Sequence, residues 1–233
     1  MSPRYSTLAF LREGKTDEVF LSKVLLRATE RLCSLHAGGL VDFGPLQELM
    51  PQDRTMEACK KVAVDCAGRY DILFVHTDGN GDPEKARRER VAPIAQAVRE
   101  SGHPPCRAVP VVPVRMMEAW ALADGDALRH ALGCAKSDSE FGLPSPRQNL
   151  EKESDPKSLL NHCSAVARGG RRSRRTRGGP SSGFLDRVAE AVSLDSLAKL
   201  PSYSRFERDL LGALVDLGIA HAGNAARQTQ SMR

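Results

Sequence analysis

Nowhere in the 233 residues does an apolar run approach the ~18 uninterrupted residues a membrane span requires, which excludes a helical membrane protein at the level of sequence. The opening, MSPRYSTLAFLREGKTDE, has a short apolar run that reaches charge within a few residues and is followed by no small-residue cleavage site. It does not read as a secretory signal. No Cys-x-x-Cys pair occurs, and the six cysteines, at positions 33, 59, 66, 106, 134 and 163, are scattered through a chain too large to need staples. Reduced thiols in a cytoplasmic protein are expected. Zinc would need clustered ligands, and the nearest candidates are His130 with Cys134 and, about thirty residues on, the adjacent His162 and Cys163, so a zinc site is not expected. There is no internal repeat.

What is present is ordinary in bulk: 41% hydrophobic and 27% charged residues place the chain among globular proteins and away from wholesale disorder. The length allows one large domain, or a compact domain with an appendage. The formal charge is +5 and the pI near 9.0, mildly basic and no argument for nucleic acid by itself. Its distribution says more. From Arg168 to Arg177 the chain reads RGGRRSRRTR, with Arg168, Arg171, Arg172, Arg174, Arg175 and Arg177 between glycines and ahead of GGPSSG. Such a run cannot bury itself. As an exposed loop it would bind phosphate backbones through counterion release and bidentate contacts, giving affinity without sequence preference.

Periodicity gives an alternation of β and α units. Ser6 to Leu11 reads as a buried strand, followed by a helix face of Phe20, Val24, Ala28 and Leu32 that Thr16 or Asp17 could cap. Gly38 to Pro51 is read as a connection or edge hairpin, and Thr55 to Ala67 as a second helix. Ile72-Leu73-Phe74-Val75 is the clearest strand, continuously apolar as in a parallel strand covered on both faces. Glu84 to Glu100 is helical, and Arg107 to Val114 is a third strand whose Pro110 and Pro113 assign it to an edge or to its own ends. A helix follows from about Met117 to Leu132, with further helices near Pro156 to Val166, Gly183 to Val192 and Ser202 to Leu217. The expected fold is α/β, a mostly parallel sheet with helices on both faces and a helical C-terminal extension. Its expected divisions are 1–133 for the core, 134–222 for the helical part with an arginine-rich loop at 168–183, and 223–233 for a polar tail.

In an open parallel sheet, ligands bind beyond the carboxyl ends of the strands. Glu13 follows the first strand, Asp78 and Asp82 the second, and Glu118 lies just beyond the third. Clustered carboxylates repel unless a hard cation neutralises them, and Mg²⁺ is held by few carboxylates plus waters and phosphate oxygens. That set predicts a site able to serve two-metal phosphodiester cleavage. Each residue taken singly also has a structural reading, since Asp and Gly punctuate strand ends and Glu118 could simply open a helix near its positive end. Two other motifs fail. Gly14-Lys15-Thr16 ends like a P-loop, but Ala9 stands where the upstream glycine is required. Asp78, Asn80, Asp82 and Glu89 have EF-hand spacing, but Pro83 replaces the turn glycine and a strand precedes the loop.

Glu13-Gly14-Lys15-Thr16-Asp17 resembles the EG-x-[ST]-[ED] opening of Toprim-like proteins, and Asp78-Gly79-Asn80-Gly81-Asp82 resembles their Asp-x-Asp element with the spacing stretched by two. Glu118-Ala119-Trp120-Ala121-Leu122-Ala123-Asp124 is similar to the E-A-W-x-L-A-D signature of the domain-of-unknown-function family 4276, a relative of the Toprim domains of OLD-type nucleases. Asp155-Pro156-Lys157 and Pro201-Ser202-Tyr203-Ser204-Arg205-Phe206 resemble that family's D-P-K and P-S-[FY]-x-x-F elements. The likeness spans residues 6–215. It implies a Toprim-like fold and a Mg²⁺- or Mn²⁺-dependent nuclease in phage defence, with an AAA-type or SMC-like ATPase as partner. Asn80 stands where the standard pair has its second aspartate, so either Asp82 supplies that carboxylate or the metal is held more weakly.

The leading expectation is therefore a hydrolase of DNA or RNA in which Glu13, Asp78 and Asp82 bind metal and Glu118 completes the set or acts as general base. Lys157 either stabilises the transition state or is merely solvated. Trp120, the only tryptophan, is expected in the core, and Asp124 to cap the next turn or form a salt bridge. The alternative is a catalytically weak nucleic-acid-binding or regulatory subunit that docks on the ATPase. Whether the chain forms a homo-oligomer is left open.

Overall fold

The computed structural model describes residues 4–103, 106–169 and 182–221. The first expected strand is two. β1 (Arg4–Ser6) and β2 (Leu8–Leu11) are separated at Thr7, whose N–H donates to Asp71 Oδ2 at 2.8 Å while the hydroxyls of Ser6 and Thr7 donate to the same oxygen. That carboxylate draws Thr7 out of the ladder, so β1 pairs with β3 (Val41–Phe43) and β2 with β4 (Gln47–Leu49). The stretch expected as a connection or hairpin thus supplies two strands, each parallel to its partner. The 22-residue helix α1 (Lys15–His36) supplies the crossover that parallel pairing requires.

The main sheet runs β4-β2-β5-β6, entirely parallel, with β5 (Ile72–His76) inside and β6 (Arg107–Val111) at the edge its prolines call for. All five residues of β5 are buried, and its alternation splits the four apolar ones between two cores. Ile72 and Phe74, with Leu8, Phe10, Val109 and Val111, pack under α1 and the C-terminal helices. Leu73 and Val75, with Ala9 and Leu11, meet the residues of α2 (Met56–Asp65) and α4 (Ala92–Glu100). Helices therefore cover both faces, as expected of a continuously apolar parallel strand.

The helix expected from Glu84 begins as α3 (Pro83–Ala86) and passes through a π turn, Arg87–Val91, before α4. Proline cannot donate to the carbonyl four residues back and its ring crowds that carbonyl. Pro93 in the first turn of α4 accounts for the extra residue, which is registered in the Ala92 N–H to Arg87 carbonyl bond. The helix expected over Met117 to Leu132 is likewise two, α5 (Glu118–Ala121) and α6 (Gly125–Leu132). Asp124 breaks it by capping α6, accepting from the N–H of Asp126 at 2.9 Å and of Ala127 at 3.2 Å, while its other oxygen accepts from Ser193 N–H at 2.9 Å.

The remaining helices are α7 (Pro156–Ala167), α8 (Ser182–Ala191), α9 (Leu194–Leu197) and α10 (Pro201–Asp216). α8 packs on α1 and α6, and α10 on β6 and α1. Trp120 is fully buried in this layer, as expected. Its Nε1 donates to Ser202 Oγ at 2.8 Å, and its ring meets Tyr203 edge-on at 5.1 Å and Phe206 at 5.9 Å. The E-A-W and P-S-Y-x-x-F elements thus hold each other. All six cysteines are free thiols, and burial pushes Cys163 up to about 12.

Candidate metal centre

Because β2, β5 and β6 are neighbours, their carboxyl ends open on one edge, and the register decides which side chains meet there. Leu11 pairs with Val75 and His76 with Val111. Two residues beyond Leu11, Glu13 comes beside the end of β5, where it accepts from Thr77 Oγ1 at 2.9 Å and from Asp78 N–H at 3.4 Å. Asp17, in the first turn of α1, and Asp78 both face the Nε2 of buried His76, at 3.7 and 3.8 Å. Glu118, buried at the start of α5, completes the acidic set from beyond β6.

Burial raises the Asp78 carboxyl from 3.8 to about 6; Asp17, Glu13 and Glu118 add repulsion, against the opposing influence of His76. Glu118 is raised too, chiefly by burial, with Lys157 acting in the opposite direction from its exposed place on the first turn of α7. Glu13, Asp17 and Glu118 thus lie within electrostatic reach of the half-buried Asp78 carboxyl. Neither Asp78 Oδ1 nor His76 Nε2, both buried, has a hydrogen-bond partner.

The loop carrying Asp78 is fixed rather than loose. Gly79, Asn80 and Gly81 donate their N–H groups to the carbonyls of Pro113, Arg115 and Val114. A Cβ on Gly79 would lie 2.4 Å from Pro113 O and 2.5 Å from Val114 O, so only glycine fits. Asn80 and Gly81 are left-handed, with φ of 48° and 91°. The turn delivers Asp82, which is exposed, to the start of α3, where its Oδ1 caps Lys85 N–H at 2.9 Å. Asp82 still lines a cleft of about 480 Å³ with Glu13, Thr77, Asp78, Asn80 and Arg90. The π turn supplies Arg90, whose guanidinium lies 3.9 Å from Glu13 Oε1. On the other side of Glu13 is a cavity of about 310 Å³ lined by Arg12, Met50, Asp53 and Arg54.

Of the residues expected at the site, Glu13, Asp78 and Glu118 come together, Lys157 is the cation set against Glu118, and Asp82 lies at the cleft with its Oδ1 used as a cap. Arg168 is exposed just after α7; Arg171, Arg172, Arg174, Arg175 and Arg177 lie outside the described residues. Asp17 and His76 were missed as site residues. Asp17 closes the five-residue opening that begins with Glu13, a signal masked by its alternative use as a helix cap. That use does not occur, since α1 starts from Gly14 without a side-chain cap. His76 gives no signal beyond ending an apolar strand.

The profile of a family described as a domain of unknown function (DUF4276) matches residues 12–210. The chain belongs to that family. The family match runs from the residue before Glu13 to the last turns of α10, so the acidic edge and the Trp120–Tyr203–Phe206 cluster both fall inside it. No curated protein and no solved structure matches.

Among the described residues, no group of three or more His, Cys, Asp or Glu side chains is already placed to hold a metal ion. The donors nevertheless fit a divalent cation of the open kind. They are hard carboxylates with an unpartnered buried oxygen among them, beside a cleft with room for waters and a phosphate group.

Proposed function

We propose that this chain is a Mg²⁺- or Mn²⁺-dependent phosphodiesterase acting on DNA or RNA, a member of the Toprim-like group that includes the OLD-type nucleases. The observation that carries the reading is the buried, unpartnered Asp78 Oδ1 set among Glu13, Asp17 and Glu118. Buried like charges without a counter-ion are costly, and a divalent cation removes that cost. When bound, the cation would supply Lewis acidity toward a phosphoryl oxygen and charge neutralisation for the leaving group.

Glu13 and Asp78 would hold it, with Asp17 as the added carboxylate that the Asp-x-Asp element lacks at Asn80. The bond from Thr77 Oγ1 orients Glu13, and the clamped glycine turn orients Asp78. Glu118, raised by burial, is suited to take a proton from an attacking water, and Lys157 to stand against the charge that develops on the phosphoryl group. Arg168 and the arginines after it would hold the nucleic-acid backbone without reading its sequence.

The test is cleavage of labelled DNA and RNA with Mg²⁺, with Mn²⁺ and with chelator. Metal-dependent cleavage that Glu13→Gln and Asp78→Asn both abolish is expected; cleavage that persists in either variant overturns the assignment. A second reading draws on Asn80 and on the absence of a group already placed to hold a metal ion among the described residues. In it the chain is a catalytically weak regulatory subunit on an AAA- or SMC-like ATPase, and adding such a partner would not restore cleavage.

A further inference from the structure

His76 is the one member of this cluster that a magnesium site does not need. Its side chain is 1% exposed, deeper than Asp17 or Asp78. Nδ1 lies 2.9 Å from the Val111 carbonyl, which can only accept, so Nδ1 carries a proton and the lone pair of the neutral ring is on Nε2. That nitrogen has no hydrogen-bond partner and points between Asp17 Oδ2 and Asp78 Oδ1. A backbone carbonyl fixing the tautomer and ring plane from behind is the arrangement that metal-ligating histidines use.

The spacings of 3.7 and 3.8 Å are longer than hydrogen bonds. Neighbouring donors on an octahedral cation with bonds near ~2.1 Å stand about 3.0 Å apart, so binding would draw the two carboxylates in by about 0.7 Å through side-chain rotation.

We propose that His76 Nε2 is a direct cation ligand together with Asp17 and Asp78, so that the site prefers a first-row transition cation such as Mn²⁺ over Mg²⁺. The inference rests on the metal-site reading above and deepens it. Imidazole adds a nitrogen donor that favours transition cations, whereas an all-oxygen site suits Mg²⁺.

The experiment is calorimetric titration of the full chain with MnCl₂ and with MgCl₂, for the wild type and for His76→Asn. The asparagine amide can still donate to the Val111 carbonyl but places nothing at Nε2. Wild type is expected to bind Mn²⁺ the more tightly, and the variant to lose about tenfold or more in Mn²⁺ affinity, with Mg²⁺ affinity changed much less. Pulsed electron paramagnetic resonance of Mn²⁺ on the wild type gives a readout that does not depend on the variant's folding: coupling to a directly bound ¹⁴N is expected. Absence of that coupling, or equal effects of His76→Asn on both cations, overturns the proposal and leaves the carboxylate site standing. A wild type that binds neither cation removes the metal site itself.

Discussion

Replacing Asp78 by asparagine should make the metal-free protein more stable, although it removes a group from the centre of the site. In the fold the carboxyl is raised from 3.8 to about 6, first by burial and then by Asp17, Glu13 and Glu118. A raised carboxyl favours the folded state while protonated, and that contribution is lost as pH climbs from the ordinary value through about 6. At about 1.36 kcal/mol per pH unit, the ionised wild type gives up at most about 3 kcal/mol at pH 8. In a chain of this length that corresponds to roughly 6–12 °C in melting temperature. Thermal unfolding in chelator should therefore show Asp78→Asn matching the wild type near pH 4 and melting higher above pH 7. A divalent cation should close the gap at a hundred times Kd and reverse it at a thousand times, because only the wild type gains binding energy, about 2.7 and about 4.1 kcal/mol respectively. A variant less stable than wild type at pH 8 in chelator, or a gap that does not move with pH, would refute the reasoning.

Asp17→Asn should remove Mn²⁺ binding, whereas Asp82→Ala should keep it and cost only about 1 kcal/mol of stability for the lost α3 cap; urea unfolding and calorimetry separate the two. Gly79→Ala should destabilise the chain and lose the cation together, since its Cβ cannot sit against Pro113 O and Val114 O; unchanged binding would show that the turn does not position Asp78. Asp124→Ala should cost about 2–3 kcal/mol in urea unfolding, because it uncaps α6 and leaves the Ser193 N–H unpaired. Serine at Arg171, Arg172, Arg174 and Arg175 should weaken nucleic-acid binding and flatten its salt dependence without moving the melting temperature.

The parts of this fold legible in the sequence are those set by local pattern. β5 announces itself by unbroken apolar residues, β6 by its prolines, and α7 and α10 by Asp155-Pro156 and Pro201 at their starts. What was not legible depends on groups distant in the chain. The division of β1 from β2 is made by Asp71, more than sixty positions away, and nothing near Thr7 foretells it. The same holds at the site. Glu13, Asp78 and Glu118 could be proposed because each follows a strand end, where acids and glycines stand out against apolar residues. Asp17 is hidden by the helix it sits in, and His76 counts as the end of a strand until the fold turns its Nε2 toward two carboxylates.

The central claim is that the carboxylates at the ends of β2 and β5 hold a divalent cation. Calorimetric titration of the wild type with MnCl₂, repeated on Glu13→Gln and Asp78→Asn shown by circular dichroism to be folded, tests it most directly. Saturable binding to the wild type, lost in both variants, is the predicted result; a flat titration of the wild type, or binding unchanged in both, would contradict it.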